Sequence, residues 1–345
     1  VTHPVHHPVV AADGGLVRFA LAGLLAGAPG TMRVELTDAA AAEPWLTRLV
    51  GAERAVAALA AGHVDVPARP ELAALALLLW ARRWWPASAV LGVVPLDPAL
   101  LDLEAAVATA AVEDVAEGLL DGFEATPAEL FDAAAAGVAT TAVAEEVRAL
   151  CLRLSAWFDD RDDVVRAEAA AALAAAVTPG QRAYALAAGT EPPVAGPGVV
   201  AQGRASVDWA RVPPGVLDAA DDTVTWRIVA APAGARLEVE VAGAVADAAL
   251  TAFATRDGEV VAQVPLALGA GRFAGAADLA GTVPSVPTGL VVGVTAEDVA
   301  GTTPEDRAEV VSLVLARVAL PPDVLPPEAR TLAERAAAAS AGEEF

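Results

Sequence analysis

Asp159, Asp160, Asp162 and Asp163 put four carboxylates into five consecutive positions, interrupted only by Arg161. Hard divalent cations take oxygen ligands, so this knot is the candidate metal site, for Mg²⁺ or Ca²⁺. It is not an EF-hand loop, because the turn glycine and the closing glutamate are both missing. The competing reading is a solvated loop in which Asp162 or Asp163 caps the next helix while Arg161 and Arg166 offset the charge. His63 and Asp65 form a second pair, with no serine or cysteine near them in sequence. His3, His6 and His7 are of a type that binds zinc, nickel or copper, on a stretch that Pro4 and Pro8 keep extended. Cys151, the single cysteine, sits between leucines and reads as a buried, inert thiol.

The remaining inventory is poor in chemistry. All 22 basic residues are arginine, which excludes Schiff-base and pyridoxal chemistry and the lysine of a phosphate-binding P-loop. G-x-S-x-G, H-E-x-x-H and C-x-x-C are absent. Gly269-Ala270-Gly271 falls between strands with no helix after it, so it is a turn and not a phosphate cradle. No catalytic residue and no cofactor is assigned.

Two features point instead to binding. In Trp80-Ala81-Arg82-Arg83-Trp84-Trp85, Trp80 and Trp84 share a helix face four residues apart. Tryptophan and arginine dominate interface hot spots, which makes Trp80, Arg83 and Trp84 candidate partner-binding residues; the alternative is a helical core stripe. Second, no Arg or His occurs after Trp84 until Arg148, while twelve acids do, among them Glu113, Glu117 and Asp121. A surface of one sign repels itself and steers basic partners.

The elements that must carry these residues change character along the chain. Residues 1–14 read as a flexible arm. Residues 15–190 read as a helical domain: a short helix near 15–28, a strand at Met32–Leu36, a helix from Asp38 to Ala61, another from Pro70, and one from Asp97-Pro98. Thr126-Pro127-Ala128-Glu129 is a capping box opening a further helix. Residues 191–206 are rich in Pro and Gly and read as a linker. Beyond them the period drops from 3.6 to 2. Strands are expected at Thr223–Val229, Leu237–Val245, Leu250–Arg256, Glu259–Leu266, Arg272–Leu279 and Leu290–Thr295, with Asp257-Gly258 as a hairpin turn. This pattern resembles an immunoglobulin-like β-sandwich over 207–320, without the paired cysteines; the resemblance implies a fold and no activity. Thr303 caps a helix, and residues 321–345 read as a proline spacer and an exposed helical tail.

The fold class expected is therefore an N-terminal all-α domain followed by an antiparallel sandwich with C-terminal helices. The 345 residues allow two domains at roughly 100–200 residues each. A net charge of −23 excludes a general nucleic-acid binder. No run reaches the roughly 20 apolar residues of a membrane span, since Leu16–Ala28 contains Arg18 and Leu72–Trp80 runs into Arg82-Arg83. The lack of lysine and asparagine fits a GC-rich bacterial genome. A single cysteine, and no basic residue before Arg18, lead to a cytoplasmic expectation. The function expected is a non-enzymatic bacterial adaptor or accessory protein that binds another protein through the acidic helical surface, which favours basic partners, and the sandwich. The alternative is a metal-dependent hydrolase using the Asp159–Asp163 carboxylates.

Overall fold

The computed structural model describes residues 4–121, 123, 125–180, 198–231, 234–243, 248–257, 259–269, 271–279, 286–294 and 301–341. The chain divides into two compact units. One is Val1–Arg83 with Leu96–Ala183 and Ser312–Phe345; the other is Trp84–Pro95 with Tyr184–Val311.

The first unit corrects the expected all-α domain, because it opens with a sheet. β1 (Val9–Ala12) and β2 (Gly15–Phe19) form a hairpin across Asp13-Gly14. Gly14 stands at φ +67°, and a Cβ there would collide with the Asp38 carbonyl oxygen. Only glycine meets both demands. After α1 (Leu21–Leu25), β3 (Thr31–Leu36) joins β2, and β4 (His63–Pro67) joins β3, giving the order β1-β2-β3-β4. Alternation buries Val17, Phe19, Met32, Val34 and Val66 on one face. The other face carries an ion ladder, Arg18–Glu35 at 2.7 Å and Arg33–Asp65 at 3.3 Å. The stretch expected as a flexible arm thus supplies a strand, and its Val5 and Val10 are buried.

The helix expected near 15–28 is instead β2 followed by the five-residue α1, and beyond β3 the chain is mainly helical. The helix expected over 38–61 stops at Gly51, giving α2 (Ala39–Val50) and α3 (Ala52–Ala61). The Trp45 indole on α2 donates to the Asp13 carbonyl at 2.8 Å and ties the helix to the hairpin. Next come α4 (Pro70–Trp84), α5 (Pro98–Val115), α6 (Pro127–Ala135), α7 (Ala144–Asp159) and α8 (Val164–Ala176). The capping box opening α6 is formed: Thr126 Oγ1 accepts from Glu129 N, and Glu129 Oε2 accepts from Thr126 N. A short parallel pair, β5 (Thr140–Thr141) and β6 (Thr178–Pro179), closes this stretch.

The second unit corrects the expected sandwich. Its strands are β7 (Val199–Ala205), β8 (Val224–Ala231), β9 (Gly234–Ala242), β10 (Leu250–Arg256), β11 (Glu259–Gly269), β12 (Arg272–Leu279) and β13 (Gly289–Gly293). They make one curled antiparallel sheet in the order β13-β10-β11-β12-β9-β8-β7, not two sheets. β11 makes the curl. Its residues up to Leu266 pair with β10, and Ala267–Gly269 pair with β12. Pro265, which has no N–H to donate, sits just before the change of partner. A Cβ on Gly275 of β12 would collide with the Pro265 carbonyl oxygen, so the two strands close up only over glycine. Ile228, Leu237, Val241, Ala252, Val264, Phe273 and Val292 fill the inside of the curl. Part of the expected linker is strand β7; residues 181–197 lie outside the described residues, as does Gly258 of the expected hairpin turn.

Two helices close the chain, α9 (Pro304–Ala319) and α10 (Leu332–Ala341). The tail is not the exposed segment expected: Leu325, Leu332, Ala333 and Glu334 are buried. Among the described residues, no helix is long and apolar enough to cross a membrane.

Candidate interaction surface

The aspartate knot lies in the turn between α7 and α8. Asp163 caps α8, accepting from Arg166 N at 3.2 Å, and its second oxygen takes Arg166 Nη1 at 2.9 Å. The hydrogen bonds from Arg166 hold the Asp163 carboxyl below its ordinary range. Arg166 also bridges to Asp132 at 2.9 Å. Asp159, Asp160 and Asp162 are exposed, and Asp162 adopts φ +60° to turn the chain. Among the described residues, no group of three or more His, Cys, Asp or Glu is placed to hold a metal ion. What the knot does here is end one helix and start the next.

The other reactive side chains are also occupied or remote. His63 on β4 is exposed, with Nδ1 3.2 Å from the Ala61 carbonyl, while Asp65 pairs with Arg33. His6 ends a 3₁₀ turn at Pro4–His6, and His3 lies outside the described residues. Cys151 is fully buried on α7, and burial pushes its thiol up to about 11, which suppresses the thiolate.

The aromatic candidates separate. Trp80 is buried in the first unit and donates to the Val5 carbonyl at 2.7 Å, so it anchors the N-terminal stretch and is not open to a partner. Arg83 and Trp84 are half-buried and belong to different units. α4 carries both Trp80 and Trp84, and which of its faces meets the interior depends on residues 75 positions away.

The acidic stretch that looks one-signed in sequence is largely answered in space. Arg82 pairs with Asp102 at 2.9 Å, Arg48 with Glu117 at 2.8 Å and Arg161 with Asp114 at 2.9 Å, while Arg148 pairs with Glu145. Asp97 caps α5, accepting from Ala99 N at 2.9 Å. Glu104 is half-buried and accepts from Leu332 N at 2.7 Å, and loss of water around its carboxyl pushes it up to about 7. Glu124 lies outside the described residues.

One group stays in surplus. Glu113 and Asp114 end α5, and Glu117 and Asp121 follow in the next turns. Four carboxylates there meet two guanidiniums, those of Arg48 and Arg161. Glu113 is half-buried; burial raises its pKa, and Asp114 and Asp121 raise it further against Arg161. The last turn of α5 contains no basic residue. A helix C-terminus is the negative end of the macrodipole, where each carboxylate costs about 0.3–1 kcal/mol. Of the expected residues, Glu113 and Asp121 are close enough to interact, while Glu117, just past the end of α5, pairs with Arg48. Arg161 lies 3.8 Å over the Trp157 ring and so holds a fixed position beside this group.

The outer face of the curled sheet is the second surface. Thr225, Arg227, Glu238, Glu240, Ala274 and Ala276 line a groove of about 380 Å³ on it. Its charges are paired across neighbouring strands, Arg227 of β8 with Glu238 of β9 and Arg272 of β12 with Glu240 of β9, both at 2.5 Å. Small residues on β12 leave the depression between these pairs. Sequence reading missed this groove because it needs the order of strands across the sheet. No family model, curated protein or solved structure matches the chain.

Proposed function

We propose that the protein works by binding a basic protein partner, as a non-enzymatic adaptor or accessory protein, and that it does so in the cytoplasm. The observation that carries this reading is the carboxylate surplus at the end of α5. Glu113, Asp114, Glu117 and Asp121 sit at the negative end of a helix with two arginines among them. A sequence optimised for stability alone places cations there, and local conflicts of this kind gather at functional sites. Burial first, and then repulsion from Asp114 and Asp121, raise the Glu113 carboxyl; a partner lysine or arginine would offset both, and a half-buried carboxylate is worth more to a cation than an exposed one. The sheet groove, with alternating charges already in pairs, supports a second, weaker contact. The cytoplasmic part of the proposal rests on the lone, buried Cys151.

The test is affinity capture with the full chain at about 50 mM and about 300 mM salt, since exposed charge contacts lose range as the Debye length shrinks. The reading expects one defined basic protein retained at low salt and released at high salt. Failure to retain any protein at either salt overturns it.

A further inference from the structure

We propose that the groove between the two ends of the curled sheet binds a small monocarboxylate with an apolar body. The groove has a volume of about 270 Å³ and is lined by Arg204 and Ala205 of β7, Trp226 of β8, Leu237 of β9, and residues 287–290 leading into β13. β7 and β13 are the first and last strands in the sheet order, so both ends of an unclosed curl contribute walls. Mouths of curled and closed sheets are preferred ligand sites, and this space equals roughly nine waters at ~30 Å³ each.

Two donors in the lining have no acceptor. The indole N–H groups of Trp45, Trp80, Trp85 and Trp209 all donate to backbone carbonyls. Trp157 and Trp226 differ: among the described residues neither N–H has an acceptor, and of the two it is Trp226 that lines this groove. A Cβ on Gly203 would come within 3.0 Å of Trp226 Nε1, so the indole lies across β7 beside Arg204. Arg204 forms no ion pair or hydrogen bond among the described residues, in a chain with more than twice as many acids as bases. Alternation sets its Cβ on the face opposite Trp226. Because β7 is the end strand, the long arginine stem can wrap over the edge to the rim of the groove. No carboxylate is found among the described lining residues.

The occupant follows from this chemistry. Pro287, Leu290 and the indole face take an apolar or aromatic body, over a floor closed by the buried Leu237. The indole N–H and the guanidinium take a carboxylate, whose two oxygens suit two donors. The proposal is independent of the acidic end of α5, which lies in the other unit.

The experiment is a ligand-observed NMR titration of the full chain with phenylacetate and with octanoate, using phenylacetamide as the uncharged counterpart. Saturable binding of at least one acid is expected, with phenylacetamide weaker by about tenfold. Arg204→Gln, at an exposed position, should weaken the acid by about tenfold with unchanged melting, and Trp226→Phe should weaken it by about threefold by deleting the N–H. Arg54→Gln, an exposed arginine of the other unit, should change nothing. No saturable binding of either acid up to about 20 mM, or equal affinity in wild type and Arg204→Gln, would overturn the proposal.

Discussion

Arg317 of α9 and Glu334 of α10 form a bidentate ion pair with both side chains almost wholly buried, Nε to Oε1 at 2.6 Å and Nη2 to Oε2 at 2.9 Å. The remaining arginine donors reach the Leu25 carbonyl at 2.8 Å and the Ala329 carbonyl at 3.0 Å. Glu334 also accepts from Thr331 N at 2.7 Å, while Thr331 Oγ1 accepts from Glu334 N, a capping box for α10. A buried pair is tolerated when every donor and lone pair is met in this way.

Removing one partner leaves the other charge buried alone. Arg317→Met and Glu334→Gln should each lower the stability of the first unit by about 3–5 kcal/mol. Urea denaturation followed by circular dichroism measures it. A loss below about 1 kcal/mol in both variants would place the pair in solvent, against the burial described.

Glu104 gives a pH dependence with a definite sign. Its folded pKa is raised to about 7, first by burial and also by Glu334, against the Leu332 N–H, Arg335 and Arg153. A raised carboxyl contributes stability below its unfolded pKa near 4.5, and that contribution is lost as pH rises through about 7. The loss amounts to about 3 kcal/mol. Glu104→Gln keeps an acceptor for Leu332 N and removes the titration. Its stability relative to wild type should therefore rise between pH 4.5 and 7 and then level. A difference that stays flat across that window would contradict the desolvated position of the Glu104 carboxyl.

The curl of the sheet depends on β12 and β11 meeting over Gly275. Gly275→Ala should cost about 1–3 kcal/mol, because the added methyl meets the backbone of Pro265 and neither strand can yield without parting. Thermal melting of the variant against Gly269→Ala, where a Cβ meets nothing within 4 Å, isolates the effect.

The same strands show how far the sequence could be read. Leu250–Arg256 and Arg272–Leu279 were expected to the residue, because alternation and turn residues are local. Whether the strands make two sheets or one was not local: both arrangements bury the same alternate positions, and the difference lies in β11 changing partners after Leu266. β7 was hidden by its glycine and by the proline-rich residues before it. Of the N-terminal sheet, β3 matches the strand expected at Met32–Leu36, but the β1–β2 hairpin was missed although Asp13-Gly14 is the same dipeptide that marked the turn at Asp257-Gly258; the short apolar runs beside it suit helix or strand equally. At the candidate surface, the acid-rich stretch was visible and its arginine partners were not, since Arg48 lies 69 residues from Glu117.

At the aspartate knot, Asp163→Ala should cost about 1 kcal/mol by removing the cap of α8. Addition of Mg²⁺ or Ca²⁺ at millimolar levels should leave the melting temperature of wild type and variant unchanged. A rise with metal in wild type that Asp160→Ala and Asp162→Ala abolish would restore the knot as a cation site.

The account turns on the surplus of carboxylates at the end of α5. The direct measurement compares capture by wild type, by Glu113→Gln/Asp114→Asn/Glu117→Gln/Asp121→Asn, and by Glu53→Gln/Glu146→Gln/Asp159→Asn/Asp160→Asn, which removes the same charge elsewhere. The account predicts that the partner stays with wild type and the second variant and is lost from the first. Equal retention by both variants would contradict it.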